Sequence, residues 1–445
     1  MDTRKNVNFP NNSKEIIELL ENSSSPLGNS EDLESLMDYI GNAKYVLLGE
    51  ASHGTHEYYT WRAKITQRLI QEKGFSFIGV EGDWPDCYRL NRFAKGYLNS
   101  GKDLYELLNE FNRWPTWMWA NWEIAAFIDW LKSHNENLSA DKRIGFYGLD
   151  VYSFRESMHS IIEYLKKNDP KALESAKKAM ECFEPFGQDE GQSYARASAL
   201  VPELCEKEVL QMLTDIRTNA EKYNSDAENV MSTEQNAFVA RNAEKYYRAM
   251  IRRGGASWNI RDEHMVSTVE RLMKFYGKEA KVIIWEHNTH IGDARATDMA
   301  MEGMVNVGQL LREQFLDDGV VAVGFGSYKG SVVAGRSWGD TMRKIKVPEA
   351  TEGSWEHLFH LASKGQDRLL LLNKLKDKKH FDSYIGHRAI GVVYNPEHER
   401  FGNYVPTILP KRYDAFIFLD ETSALHPIHF QPDGTKIPDT YPFGL

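Results

Sequence analysis

The chain has 445 residues, of which 42% are hydrophobic and 12% aromatic, enough to build a sizeable core. Its formal net charge of −10 argues against a nucleic-acid-binding protein, because such proteins need a basic face. The N-terminal residues contain no apolar signal segment and no run of about 18 apolar residues occurs, so we expect a cytoplasmic protein without a membrane-spanning helix.

Short apolar runs alternate with helical stretches along most of the chain. Several of these runs are apolar at every position, which is typical of strands covered by helices on both faces of a sheet. The predicted strands are 45–49, 75–81, 143–150, 281–287, 320–326, 369–373, 389–394 and 415–421. The clearest helical patterns are 61–74, 122–135 and 261–277. The alternation predicts an α/β fold with a mixed, largely parallel central sheet flanked by helices.

The alternation stops between about residues 153 and 255, where the composition turns to Lys, Glu, Ala, Met and Tyr. Because strands resume afterwards and must rejoin the sheet, we expect a helical insertion within one domain that spans residues 1–445. A separate helical domain is the alternative. The cysteines Cys87, Cys182 and Cys205 are widely spaced without a zinc-binding pattern, and no disulfide framework is expected.

Titratable side chains cluster where the predicted strands end. They are Glu50, His53 and His56 after the first strand, Glu81 and Asp150 at the ends of the next two, and His287 and His290 after the fourth. Ligands of open α/β sheets bind outside the carboxyl ends of the strands. We therefore expect these groups to share one site.

His53 is the natural general base of such a site, because an unperturbed imidazole titrates at about pH 6.5. Either Glu50 or Glu81 is suited to orient His53 and to favour its protonated form. The sequence has no GxSxG nucleophile elbow and no cysteine close to a histidine in sequence. The expected nucleophile is therefore a water activated by a histidine.

Other strand-end residues have candidate roles beside this base. His287 or His290 is suited to act as a second acid–base group or as an oxyanion donor, and Arg62 offers a fixed fork of donors. The same histidines and carboxylates are also suitable ligands for zinc or manganese. Residue types alone do not decide between metal-dependent and metal-free hydrolysis.

A series of motifs runs in order through most of the chain: GEASHGTHEYYTWR, VEGDWPDCYRLNRF, WPTWMWANWE, YGLD, RDEHM, WEHNTH and FIFLDETSALHP. Together these motifs resemble the erythromycin esterase family, which is also labelled as succinoglycan-biosynthesis-like proteins. The resemblance implies an α/β core with extra helices and a deep active-site cleft. It also implies hydrolysis of a macrolide-type ester or lactone by a histidine-activated water, with no required metal or other cofactor.

The resemblance also implies residue roles. The histidine of the family's GEA[ST]HG motif, its catalytic base, falls on His53, and the glutamate of that motif falls on Glu50. The arginine of the following helix falls on Arg62, the glutamate of the E-x-DWP motif on Glu81, and the first histidine of the HN-x-H motif on His287. The implied partner is a small ester or lactone, with no nucleic acid and no membrane, and the oligomeric state is not readable.

Four further residues are candidates for substrate binding: His290, Arg261, Trp117 and Trp119. The two tryptophans are more typical of residues that cap a core, with one or two tryptophans of this segment facing the cleft, and Arg261 has an alternative role at the start of a helix, where Asn259 is a plausible N-cap. The sequence does not decide between these interpretations.

Glu286 is a departure from the family's WAHN motif, which has a small residue at that position. An extra carboxylate next to His287 would raise the pKa of that histidine or attract a cation. The alternative, favoured slightly, is that Glu286 points away from the cleft, as the period of two along a strand allows.

Three functions are compatible with these residues. The first is hydrolysis of a carboxylic ester or lactone, which the complete set of His53, Glu81 and His287 favours. The second is a metal-dependent hydrolase that acts on another acyl or phosphoester substrate. The third is a non-catalytic small-molecule-binding protein linked to polysaccharide biosynthesis.

Overall fold

The computed structural model describes residues 13–97, 103–187, 191–201, 204–223, 226–251 and 255–428. Residues 1–12 lie outside the described residues, so the structure does not describe the start of the N-terminal stretch in which the sequence lacks an apolar signal segment. Parts of the expected insertion also lie outside the described residues. The strands are β1 Ser24–Pro26, β2 Tyr45–Leu48, β3 Phe77–Asp83, β4 Gly145–Asp150, β5 Val282–Trp285, β6 Val320–Ala334, β7 Arg343–Val347, β8 Arg368–Leu371, β9 Ile385–Arg388, β10 Tyr404–Thr407 and β11 Ala415–Thr422.

The helices surround these strands in chain order. They are α1 Ser13–Ser23, α2 Glu34–Ile40, α3 His56–Lys73, α4 Trp84–Ala94, α5 Leu104–Leu108, α6 Trp122–Glu136, α7 Phe154–Asn168, α8 Pro170–Phe183, α9 Gln192–Ser198, α10 Glu206–Asn219, α11 Ala227–Met250, α12 Ala256–Tyr276, α13 Asn288–Ile291, α14 Val307–Gln314, α15 Trp355–Ser363, α16 Glu399–Gly402 and α17 Leu409–Arg412. In the described part of the chain we find no helix with the combined length and apolar character of a membrane span.

The central sheet has the strand order β1-β8-β11-β6-β2-β5-β3-β4, and β7 pairs with β6. Every neighbouring pair from β11 to β4 is parallel. The strands β1, β8 and β7 join antiparallel, and β9 and β10 form a separate antiparallel pair. The predicted α/β fold with a mixed, largely parallel sheet is therefore confirmed.

The strands are apolar at every position because both faces of the sheet are covered. In β2, Val46 and Leu48 belong to one apolar core, which includes residues of α3 and α6. The alternate residues Tyr45 and Leu47 belong to a second core, which includes residues of α12 and α14. Since successive side chains of a strand point to opposite faces, each position of β2 contacts a helical layer.

The described part of 153–255 contains only helices as regular structure, α7 to α11. These helices share an apolar cluster of their own, which contains Met158, Ile161, Met212 and Tyr246. Their helical character agrees with the composition of this segment. The grouping of these helices as an insertion within a single domain stays a prediction.

The expectation about the cysteines is wrong for two of them. Cys182 and Cys205 form a disulfide that links residues 23 positions apart in the helical segment, while Cys87 is buried and free. Cys182 lies near the end of α8 and Cys205 directly before α10. The spacing of the cysteines does not reveal this pairing, because it depends on how the helices pack.

Two further local predictions are wrong. Residues 389–394 are not a strand, because the strand β9 ends at Arg388 and only isolated bridges follow, at Ile390 and Val393. This segment is apolar because it is largely buried, not because it is extended within a sheet. The helix α12 begins at Ala256, so Asn259 lies inside its first turn and donates to the carbonyl of Gly303 instead of capping it.

Candidate active site

Four parallel strands, in the order β2-β5-β3-β4, end at one edge of the central sheet. They position Glu50 after β2, His287 after β5, Glu81 within β3 and Asp150 at the end of β4. All four side chains are buried. Charged groups are rarely buried without partners, so this edge must contain a network of ion pairs and hydrogen bonds.

The loop between β2 and α3 holds Glu50 and His53 in a fixed relation. His53 Nδ1–H donates to Glu50 Oε1 over 2.9 Å. The loop lies directly on β6, where the N–H of Val333 donates to the carbonyl of Gly54 over 2.9 Å. A Cβ atom at Gly54 would lie 2.0 Å from the carbonyl oxygen of Val333, so only glycine permits this approach.

Arg62 fixes the other side of Glu50. Its Nη2 donates to Glu50 Oε2 over 2.7 Å. The guanidinium carbon lies 4.3 Å from the ring centroid of Tyr59 and 4.9 Å from that of Trp285, and the side chain is fully buried. The three groups form a buried chain, from Arg62 through Glu50 to His53, in which both oxygens of the carboxylate are used.

His287 lies beside His53, with 4.9 Å between the ring centroids. The N–H of Thr289 donates to His287 Nδ1 over 3.3 Å, and the hydroxyl of Thr289 lies 2.8 Å from the same nitrogen. A backbone N–H can only donate, so Nδ1 is unprotonated and the neutral ring carries its proton on Nε2. Within the described residues, the Nε2 atoms of both histidines have no hydrogen-bond partner.

Arg261 of α12 is the centre of a second network. Its Nε and Nη2 donate to the two oxygens of Asp150 over 3.0 and 2.7 Å, and Nη2 also donates to Glu81 Oε1 over 2.6 Å. Its Nη1 lies 3.0 Å from His290 Nε2. The other oxygen of Glu81 accepts the backbone N–H of His287 over 2.9 Å. This contact links the Arg261 network to His287, whose ring lies beside His53.

His290 is held by residues of α12. Its Nδ1 lies 2.9 Å from Asp262 Oδ1, and its ring stacks on Trp258 with 4.5 Å between centroids. Of the two histidines, His287 is the one whose ring lies beside that of His53. The contacts of His290 lie within the Arg261 network.

The two facing histidines have opposite pKa shifts. Burial lowers the pKa of His53, but the charge of Glu81 and the hydrogen bond with Glu50 outweigh burial and raise this pKa above 6.5. Burial and the charge of His53 hold the pKa of His287 well below 6.5. Neighbouring groups whose pKa values are pushed apart are typical of acid–base pairs in active sites.

A small cavity of about 50 Å³ opens at this edge, and its lining includes Glu81, Asp150, Arg261 and Trp119. Trp119 also donates its indole N–H to the backbone carbonyl of Glu81 over 2.9 Å. Trp117 is fully buried in the core and is not part of this lining. Of the two candidate tryptophans, the structure brings only Trp119 to the cavity.

Glu286 is not among the residues that line this cavity. It is fully buried, and neither carboxylate oxygen has a hydrogen-bond partner in the part of the chain that the structure describes. The other possibility, a raised pKa of His287, is not found, since burial and the charge of His53 lower that pKa. Burial, followed by the charges of Glu81 and Asp262, raises the pKa of Glu286 well above 4.5.

Replacement of Glu286 by glutamine should make the protein more stable at neutral pH relative to wild type. In wild type, the folded state keeps the Glu286 proton above pH 4.5 whereas the unfolded state loses it, so stability falls as the pH rises towards the raised pKa. The advantage of the variant should grow by about 1.4 kcal/mol per pH unit over that range. Denaturant unfolding of both proteins from pH 5 to pH 8 would measure this slope, and a pH-independent difference would contradict the prediction.

Several residues of the site are not evident from strand ends. Trp258 and Asp262 support His290 from α12, and Thr289 fixes the ring of His287. The available signal is helical spacing, since Trp258 precedes Asp262 by four residues and such pairs share one face of a helix. That spacing does not show that this face of α12 packs against His290.

Comparisons with known proteins provide independent information on the chain. The family profile described as Erythromycin esterase matches residues 70–422. Erythromycin esterase type II of Escherichia coli is 24% identical over 357 residues, which cover 74% of this chain and 81% of that protein. A solved succinoglycan biosynthesis protein has a TM-score of 0.75 at 21% identity, with coverage of 93% of this chain and 98% of that chain. A solved erythromycin esterase mutant in its open conformation has a TM-score of 0.63 at 18% identity, with coverage of 88% and 94%.

Proposed function

The chain belongs to the erythromycin esterase family, and we propose that it is a hydrolase that cleaves a carboxylic ester or lactone with a water activated by His53. The observation that supports this proposal most strongly is the buried chain of Arg62, Glu50 and His53. The profile match begins at residue 70, after these three residues, so their proposed roles depend on geometry and on the motif.

His53 is the proposed general base. Glu50 accepts the hydrogen bond from Nδ1–H, so the neutral ring presents the lone pair of Nε2, the nitrogen without a partner in the described chain. His53 Nε2 takes a proton from water while the water oxygen attacks the ester carbonyl carbon. When the tetrahedral intermediate collapses, the same proton passes to the leaving alkoxide, which gives a carboxylic acid and an alcohol.

His287 is the proposed oxyanion donor. Its lowered pKa keeps the ring neutral, and the contact with Thr289 leaves the proton on Nε2, beside His53. A neutral N–H donor fixed before the reaction stabilises the developing oxyanion without reorganisation. Arg62 has a positioning role in this scheme, because its guanidinium holds Glu50.

Glu81, Arg261 and His290 are proposed to have a positioning role, because they form the network that lies next to His287. Their polar atoms are engaged with one another, with Asp150 or with Asp262, and Glu81 raises the pKa of His53 by its charge. Substrate contact by Arg261 and His290 stays a prediction. We expect Trp119, which lines the cavity, to be the nearer aromatic contact for substrate.

The test is hydrolysis by purified protein of fourteen- and sixteen-membered macrolides and simple aryl esters, with and without chelator. Opening of a lactone that survives chelator supports the proposed metal-free mechanism. Loss of activity with chelator would transfer the histidines and carboxylates to metal-ligand roles. The absence of turnover on every ester would overturn the proposed function. The macrolide class is tested first because it is the one that the family name suggests.

The pH profile of kcat/KM provides a test of the Glu50–His53 pair. Because neutral His53 is the active form, kcat/KM should rise with pH through an apparent pKa above 6.5. Glu50→Gln replaces the charged acceptor of His53 Nδ1–H by a neutral amide. Because the carboxylate raises the pKa of His53, the pH profile of the variant should move to lower pH and its maximum rate should fall.

Glu57→Gln is the matched control for this experiment. Glu57 lies at the start of α3, and its two oxygens accept from the N–H and the hydroxyl of Ser423. Its substitution should leave the apparent pKa unchanged. An unshifted profile in Glu50→Gln, or an equal shift in both variants, would contradict the role of Glu50.

A further inference from the structure

A second cluster of titratable side chains, His56, Glu123 and His426, takes no part in the proposed hydrolysis. Among the residues that the structure describes, it is the one group of three or more His, Cys, Asp or Glu side chains whose candidate ligand atoms lie within 4.8 Å of one another. Both imidazole Nδ1 atoms contact the same oxygen, Glu123 Oε1, over 2.6 Å from His56 and 2.7 Å from His426.

The backbone fixes the three side chains relative to one another. His56 is the first residue of α3, and its N–H donates to the carbonyl of Ser423 over 2.8 Å. The N–H of Trp122, at the start of α6, donates to the carbonyl of His426 over 3.0 Å. Three distant chain segments are thus joined around the cluster, and a ligand set on such supports is preorganised.

The cluster is partly buried but accessible from the surface. The side chain of Glu123 is 4% exposed, whereas those of His56 and His426 are 33% and 63% exposed. Grooves of about 320 and 370 Å³ adjoin the cluster, and the linings of both include Trp122 and His426. An ion with bound water can therefore reach the three ligand atoms.

We propose that His56, Glu123 and His426 bind a divalent transition-metal ion of the Zn²⁺ type. Two imidazole nitrogens and one carboxylate oxygen are ligands that Zn²⁺ prefers, with a water in the fourth position. Mg²⁺ and Ca²⁺ favour sets made of oxygen alone and are not expected here. The proposal is independent of the proposed esterase activity, since none of these three residues has a role in the proposed hydrolysis.

Binding requires a small local adjustment. Ligand atoms about 2.1 Å from a tetrahedral ion lie about 3.4 Å apart, so the Nδ1–Oε1 separations of 2.6 and 2.7 Å must widen by about 0.7–0.8 Å. Small rotations of the partly exposed side chains of His56 and His426 can supply these changes. To bind the ion through Nδ1, a neutral imidazole carries its proton on Nε2, whereas a protonated imidazole must first release one proton, so binding weakens at acidic pH.

The charges near His56 come from Glu123 and from two further side chains of α3, Glu57 and Lys64. The hydrogen bond to Glu123 raises the pKa of His56, against a smaller opposing effect of burial. Glu57 and Lys64, both on α3, act on His56 in opposite directions. Burial raises the pKa of Glu123, but the hydrogen bonds from His56 and His426 outweigh it and keep this carboxyl ionised.

The proposed consequence is structural. The ion would join the start of α3 and the start of α6 to the segment that follows β11. Because only the folded chain presents all three ligands together, Zn²⁺ should raise the unfolding temperature of the protein. A chelator should lower that temperature without inhibiting ester hydrolysis, which separates this proposal from the function of the active site.

The test uses the full chain without a histidine tag, stripped of metal by chelator. Isothermal titration with Zn²⁺ should show one ion per chain, and Co²⁺ should give the visible absorption of a tetrahedral site. In His426→Gln and Glu123→Gln, affinity should fall by more than roughly 100-fold, since loss of an outer-shell partner alone lowers affinity by about 10–100-fold.

His360→Gln is the matched control. His360 also pairs through Nδ1 with a carboxylate, 2.6 Å from Asp420, at similar partial exposure. Among the described residues, however, no second histidine places a ligand atom within 4.8 Å of both members of that pair. This variant should bind Zn²⁺ like wild type. The proposal is overturned if wild type takes up no ion, if His426→Gln binds as tightly as wild type, or if His360→Gln loses the ion to the same extent.

Discussion

Replacement of His53 by alanine should lower kcat/KM for ester hydrolysis by about 10²–10⁴-fold, the usual contribution of a positioned general base. The variant leaves the Arg62–Glu50 pair and His287 in place and removes only the nitrogen that accepts the proton of water. The measurement is steady-state hydrolysis of whichever ester the wild type turns over. Added imidazole should restore part of the lost rate, because a small base can enter the space left by the side chain.

His56→Gln is the control for this prediction. His56 lies in the same motif and also contacts a carboxylate, but its partner is Glu123 rather than Glu50. Its substitution should leave kcat/KM close to that of wild type. If His53→Ala retains full activity, or if His56→Gln loses activity as strongly, then the hydrolytic base is not His53.

Replacement of Arg261 by methionine should reduce the free energy of unfolding by about 3–5 kcal/mol, the range for removal of one partner from a buried ion pair. Arg261 holds both Glu81 and Asp150, and all three side chains are at most 5% exposed. Methionine fills a similar space but leaves two buried carboxylates without their cation. Urea unfolding of wild type and variant, monitored by circular dichroism, would measure the loss.

Arg68→Met is the matched control for Arg261. Arg68 also pairs with two carboxylates, Glu34 and Glu72, but these are 68% and 42% exposed. Exposed pairs contribute about 0–1 kcal/mol, so this variant should lie close to wild type. Equal losses of unfolding free energy in the two variants would contradict the prediction, because burial would then not determine how much the Arg261 network contributes to stability.

The central sheet is predictable from the sequence where a strand is buried on both faces. In β2 and β5 every residue is apolar, so the strand is evident without knowledge of its neighbours. The strands β1 and β7 carry no such signal, because Ser24–Pro26 is polar and Arg343–Val347 is half exposed at the edge of the sheet. Residues 389–394 give the opposite error: they are apolar because they are buried, and the sequence therefore predicts a strand where the segment is irregular.

The proposed catalytic groups are predictable because parallel strands end at one edge, so that residues distant in sequence must meet there. The pairings are not predictable, because they depend on distances of a few ångströms. The sequence left both Glu50 and Glu81 as partners of His53, and only the geometry assigns Glu50 to Nδ1. The support of His290 by Asp262 depends on how α12 packs over the sheet, as the Cys182–Cys205 disulfide depends on the packing of α8 and α10.

The most direct test of the central claim is a single-turnover hydrolysis in water that carries a heavy oxygen isotope, with protein in excess over a cleavable ester. Direct attack by a water activated by His53 predicts that the acid product of the first turnover contains the heavy oxygen, that no acylated protein is detected by mass spectrometry, and that His53→Ala slows the reaction by about 10²–10⁴-fold. An unlabelled first product, an acylated side chain, or undiminished turnover by His53→Ala would contradict the proposed mechanism.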